Sequence, residues 1–194
     1  MPRVTAPMWY ALIVIVLVLG SVFVWATRVP PAGADAEVSV PRTPAREAAV
    51  AAPVTDHPAP DFALTSTAGS EVQLSQLAGQ VVLINVWATW CPPCRAEMPA
   101  IQAAYEQYRD QGFTVLAINQ QEDARTVVAY LRDEGLTFTA LLDEHGSVST
   151  AYQARVLPSS FFVDRRGVIR AVYRGPMPRS VIAGTVVQLL QEAP

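Results

Sequence analysis

The stretch VVLINVWATWCPPCRAEMP, residues 81–99, decides the reading of this chain. Its first part, VVLINVWA, is a continuous apolar run rich in β-branched residues, the pattern of a buried central strand. Its second part opens a helix. The spacing of Met98, Ile101, Ala104, Tyr105 and Tyr108 predicts a helix over about 92–110, which Gly112 closes. Between strand and helix lie the only two cysteines of the 194 residues, Cys91 and Cys94, separated by Pro92 and Pro93. Pro92 falls at the first helical position, where a missing N–H costs nothing.

This placement gives the cysteines a chemistry. A helix N-terminus carries free N–H groups and a partial positive charge, and both favour thiolate over thiol. Cys94, one turn on, faces Cys91 closely enough to bridge. It lies inside the helix with less access to water, so Cys91 is the attacking thiol and Cys94 the one that resolves a mixed disulfide. Two other uses of the pair compete. A structural staple gains from closing a long loop, and this one closes almost nothing. A tetrahedral zinc site wants four ligands, and the chain offers only two cysteines and two remote histidines. Of those, His57 sits in a solvated linker and His145, in DEHGS, in a turn. Pro92 and Pro93 also donate no hydrogen bonds, leaving the Cys94 N–H as the clearest donor to a Cys91 thiolate. Less thiolate stabilisation disfavours the reduced form and points toward a reductant.

Outward from this junction the pattern stays α/β. DFALTSTAGSEVQLSQL predicts two short strands around a turn at Gly69. FTVLAIN is a second buried strand, EDARTVVAYLRDEG a helix ending at Gly135, FTALLD a short strand and SVSTAYQA a short helix. SSFFVD and VIRAVYRG, joined at RRG, form an antiparallel hairpin, and PRSVIAGTVVQLLQEA is a closing amphipathic helix. Strand–helix alternation and then a hairpin predict a mixed β-sheet flanked by helices on both faces, over residues 58–194.

The N-terminal part is different. After a short tail, 1–7, residues 8–27 (MWYALIVIVLVLGSVFVWAT) carry no charge. At about 1.5 Å per residue such a run spans one hydrocarbon core, and Trp9, Tyr10 and Trp25 lie at its ends. This predicts a single transmembrane anchor. A cleaved signal peptide is the competing reading, with AGA at 32–34 as a small-residue cleavage site, but the apolar run exceeds the usual signal core. Residues 28–57, dominated by Pro, Ala and Val, form a semi-extended tether. A net charge of −3 gives no reason to expect nucleic-acid binding, and no glycine-rich phosphate loop appears. No cofactor and no metal is expected.

WATWCPPC, with VVLINV before it and VLPSSFFVDRRGVIR after it, resembles the membrane-anchored thioredoxin-like proteins of the TlpA, ResA and CcmG type, within the wider AhpC/TSA–Redoxin superfamily. The resemblance covers about residues 58–190 and implies a thioredoxin fold with an added N-terminal β-hairpin. It implies a thiol:disulfide oxidoreductase, generally a reductant, whose domain faces the periplasm or cell exterior from the cytoplasmic membrane. Charge bias around the anchor does not itself set that orientation. The clients implied are disulfide-containing proteins such as cytochrome c apoproteins and copper-site proteins, with a membrane dithiol donor that recharges the pair. Pro158 matches the family's cis-proline opposite the disulfide, leaving the Leu157 backbone free to pair with a client strand. Trp90 matches the aromatic residue flanking the reactive sulfur. Glu97 matches a glutamate that handles the Cys94 proton. Thioredoxin places a buried aspartate six residues before the first cysteine; here that position is Asn85, which takes no proton. Two alternatives remain. A thiol peroxidase normally has a threonine three residues before its cysteine, where this chain has Ala88, with Thr89 one off. A copper-handling binding module usually adds a histidine, and neither His57 nor His145 matches.

Overall fold

The computed structural model describes Leu17 and residues 54–192. The tail, the expected anchor and most of the tether lie outside the described residues. Among the described residues, no helix is long and apolar enough to cross a membrane.

The expected central strand is β3 (Val81–Trp87), buried at every position. A hairpin precedes it: β1 (Ala63–Thr65) and β2 (Glu71–Gln73) pair antiparallel, and a single 3-10 turn (Leu74–Leu77) comes next. The hairpin turns at Gly69, whose φ of 84° lies in the left-handed region that favours glycine. Beyond β3 come α1 (Pro92–Tyr108), β4 (Phe113–Gln120), α2 (Ala124–Asp133), β5 (Thr139–Asp143) and α3 (Ser147–Ala151). The chain closes with β6 (Ser159–Val163), β7 (Ile169–Arg174) and α4 (Arg179–Gln191). The main sheet has the order β5-β4-β3-β6-β7. β4 runs parallel to β3, β5 parallel to β4, and β6 and β7 are antiparallel additions. This is the mixed α/β sheet of the thioredoxin fold.

The helices divide unequally between the two faces, and handedness explains why. The units β3–α1–β4 and β4–α2–β5 step across the sheet in the same direction. Right-handed crossovers taken in one direction place their helices on one face. α4 packs there too, against α1. The core on this side joins Val81, Leu83 and Trp87 of β3 to Met98, Ile101, Val127, Ile182 and Val186 of the three helices. Alternate residues Val82, Ile84 and Val86 face the other way, onto short α3, the hairpin and the 3-10 turn. Each fully buried aliphatic or aromatic side chain contributes about 1.5–3 kcal/mol. β3 therefore binds both layers, and the loop at its carboxyl end departs from a strand gripped on two sides.

α1 ends at Tyr108, two residues short of the position expected from apolar spacing. The chain tightens into a 3-10 turn (Arg109–Gln111) and reverses at Gly112, φ 89°. At the other end of the domain, the segment just before residue 58 is already ordered against the sheet. The Asp56 N–H donates to the Ile169 carbonyl (2.7 Å) and the Ile169 N–H to that of His57 (2.9 Å), extending the edge of β7.

Candidate active site

Sites in α/β sheets form beyond the carboxyl ends of the parallel strands. Here β3 delivers the chain through Ala88–Trp90 to Cys91, which caps α1. The antiparallel β6 begins at that same end, because Val86 of β3 lies opposite Ser159. The register thus sets Leu157 and Pro158 beside the loop that carries Cys91. The Leu157–Pro158 peptide bond is cis. Pro158 is buried, and its carbonyl accepts from the Gly175 N–H (2.8 Å). Leu157 is half-buried against both core clusters.

Cys91 and Cys94 are joined by a disulfide, with Cα atoms 5.3 Å apart. Cys94 is fully buried and Cys91 retains 3% exposure. The Cys94 N–H donates to Cys91 Sγ at 3.3 Å, so the N-terminal sulfur is itself the helix cap. Pro92 and Pro93 are exposed beside it and offer no N–H. Trp90, at 67% exposure, stands out from the surface next to this sheltered sulfur. Attack at the pair is therefore confined to the Cys91 side.

The helix that carries Cys94 also contributes to a buried polar group. Glu97 sits on the second turn of α1 with 3% exposure. Its Oε1 accepts from Asn85 Nδ2 (2.8 Å) and its Oε2 from the Met177 backbone N–H (2.9 Å). Burial pushes the Glu97 carboxyl above its ordinary range, and the two hydrogen bonds only partly offset it. Asn85 Nδ2 also donates to Ser160 Oγ (2.8 Å), its neighbour across the β3–β6 pair. Asn85 Oδ1 has no partner among the described residues. Among those residues no hydrogen bond joins Glu97 to either sulfur, so in the disulfide form it is held as an acceptor by Asn85 and Met177.

A second carboxylate was invisible to sequence reasoning. Glu122 accepts from the Thr89 N–H (2.7 Å), the Thr89 hydroxyl (2.5 Å) and Asn119 Nδ2 (2.7 Å). It ties the loop before Cys91 to the end of β4. The available signal was position: an acid just past the carboxyl end of a buried parallel strand. Ser160 and Met177 were missed too, because only the tertiary fold brings Met177 to Glu97 and Ser160 to Asn85. The histidines stand apart. His145 is exposed in the turn after edge strand β5, and His57 lies beside the start of β7, at the far end of the sheet.

Comparison with known proteins adds to this geometry. Residues 55–172 match the AhpC/TSA family model. The thiol-disulfide oxidoreductase ResA of Geobacillus kaustophilus is 38% identical over 124 residues, covering 64% of this chain and 71% of that protein. ResA of Bacillus subtilis is 35% identical over 124 residues, covering 64% and 69%. Among solved structures, one described as a thiol:disulfide interchange protein of the DsbE kind from Chlorobium tepidum superposes with a TM-score of 0.67 at 30% identity. It covers 71% of this chain and 98% of its own.

Proposed function

Because the chain belongs to the AhpC/TSA family and is a thiol-disulfide oxidoreductase of the ResA and DsbE type, we propose that it reduces disulfides of extracytoplasmic client proteins through Cys91 and Cys94. The observation that carries the reading is the disulfide itself, placed at a helix N-terminus with its first sulfur as the cap.

In the reduced protein, the Cys91 thiolate attacks one sulfur of a client disulfide. A Cys91–client bond forms, the client disulfide breaks, and the departing client thiolate takes a proton. Cys94 then gives its proton to Glu97 and attacks the Cys91 sulfur. The Cys91–Cys94 bond forms, the mixed disulfide breaks, and the second client thiolate leaves. Two electrons pass from the protein dithiol to the client, and the state left behind is the bridged one. Trp90, Pro92 and Pro93 form the surface around the Cys91 sulfur, and the Leu157 backbone beside Pro158 offers an edge on which a client strand aligns.

The same reading makes residues 8–27 a bilayer anchor and the segment from 28 up to Asp56, where the chain joins the edge of β7, a tether, with the domain in the periplasm or cell exterior. Its clients are apocytochromes c or copper-site proteins, and a membrane dithiol donor recharges it. The uncharged 20-residue run and the likeness to ResA support this. A protease-protection assay on spheroplasts, whose cytoplasmic membrane is sealed and accessible, tests the topology: cleavage of the domain from outside supports it, and protection sinks it. A peroxidase reading fares less well. The nearest hydroxyl before Cys91, that of Thr89, is committed to Glu122.

The decisive measurement is the reduction potential of the pair in the full chain, equilibrated with a redox buffer in detergent. A value near or below about −270 mV, that of thioredoxin, supports a dedicated reductant. A value near about −120 mV makes the protein an oxidant and overturns the direction proposed.

A further inference from the structure

Asn85 stands on the central strand where a carboxylate would be the simpler proton carrier, and its surroundings explain the substitution. Both of its N–H bonds are used, one on Glu97 Oε1 and one on Ser160 Oγ, each at 2.8 Å. Its Oδ1 is buried and unpaired. A buried, unpaired amide oxygen is an uncommon arrangement with a free-energy cost. The orientation observed suits an ionised Glu97, which can only accept. Once Glu97 carries a proton, an amide turned by 180° puts Oδ1 where Nδ2 now lies. It then accepts from the Glu97 O–H and from the Ser160 hydroxyl, which can donate as well as accept. One orientation leaves an oxygen unpaired and the other leaves the amino group unpaired. The proton on Glu97 selects between them.

We propose that Asn85 is the positioning residue for Glu97, turning its carboxamide to donate to the carboxylate in one half of the redox cycle and to accept from the carboxylic acid in the other. The inference rests on the acid–base reading of Glu97 in the exchange cycle. It explains why a carboxamide serves here. A fixed donor would lose a buried hydrogen bond each time Glu97 took the Cys94 proton. A second carboxylate at 2.8 Å would repel the first. The groups around Glu97 are few. Its hydrogen-bond partners are Asn85 on β3 and the Met177 amide ahead of α4, with Ser160 on β6 held by Asn85 and Cys94 one turn earlier on α1; among the described residues no charged side chain acts on it. In the bridged form the cysteines do not titrate, so any inflection there belongs to Glu97.

The test is an NMR titration of the full chain in its disulfide form. It tracks the Glu97 carboxyl carbon, assigned with Glu97→Gln, together with the Asn85 side-chain amide. We expect both probes to share one inflection and the Asn85 amide protons to lose their proximity to Ser160 below it. Asn85→Asp, nearly isosteric, should raise the Glu97 inflection by about one pH unit or more. An Asn85 amide that keeps one orientation through the Glu97 inflection overturns the proposal, and this needs no variant to fold. An unmoved inflection in a folded Asn85→Asp protein overturns it equally. Failure of the acid–base reading looks different: Glu97→Gln would leave the pH profile of disulfide exchange unchanged while Asn85 still responded to Glu97.

Discussion

A carboxylic acid with 3% exposure and two N–H partners sits in tension at neutral pH. The N–H groups favour its anion, and burial favours the acid more strongly, which raises the Glu97 pKa above its ordinary value of 4.5. Linkage sets the sign of the consequence. Between the ordinary and the raised value, the folded protein binds the proton that the unfolded chain has lost. Stability therefore falls as the pH rises through that interval and levels off above it. Glu97→Gln removes the dependence. The stability difference between variant and parent, taken from urea denaturation at several pH values, should grow with pH across the interval, in favour of the variant. The same substitution should flatten the pH dependence of disulfide exchange in that range. Loss of positioned acid–base help lowers the rate by about 10²-fold or more. An unaltered exchange profile would remove Glu97 from the chemistry.

At the scale of elements, the loop Ala88–Trp90 needs a support that α1 does not give. Glu122 provides it by accepting both Thr89 donors and Asn119. Glu122→Ala leaves the Thr89 N–H and the Asn119 amide without their acceptor. Losing hydrogen bonds to a charged group costs about 1.5–3 kcal/mol. Amide hydrogen exchange at Thr89 should speed up markedly, and client reduction should slow while the disulfide still forms; protection at Thr89 equal to the parent's would refute this role. The contrast with Glu97 shows what a sequence can disclose. β3, α1 and the hairpin β6–β7 are legible because their signals are local: an apolar run, a helical spacing, a turn. The two cysteines are legible because helix capping is local as well. Glu122 and Ser160 reach their partners across sheet neighbours, Glu122 from residue 89 and Ser160 from residue 85. No periodicity encodes such pairs. The crowding of α1, α2 and α4 onto one face likewise comes from crossover handedness, once the strand order is known.

For the domain as a whole, the two ends of the sheet have different tasks. The dithiol lies just past the end of β3. The chain arrives at the opposite end, where Ile169 lies across from Val163 and Val163 across from Val82, near the start of β3. Strand rise puts about 20 Å between the two ends. The arriving segment is itself structural. Asp56 and His57 extend β7, and the Ala59 N–H donates to the Gly167 carbonyl (2.9 Å). The Pro60 carbonyl accepts from the hydroxyl of Tyr152 (2.7 Å), whose ring is fully buried against Phe62 and Phe161. Asp56 also reaches Arg170 (3.4 Å), which holds Asp164 and Glu192 as well. A chain begun at Asp61 forfeits all of these and leaves the Tyr152 hydroxyl buried without its acceptor. Three edge hydrogen bonds at about 1 kcal/mol each, plus about 1–3 kcal/mol for the stranded hydroxyl, predict a loss of about 4–6 kcal/mol relative to a chain begun at Val54. Tyr152→Phe in the longer chain separates the contributions. It removes hydroxyl and bond together and should cost only about 1 kcal/mol. Equal denaturation midpoints for the two truncations would mean that the segment merely lies along β7. A large difference would make residues 56–60 part of the folded domain, holding the end of the sheet remote from the reacting sulfurs.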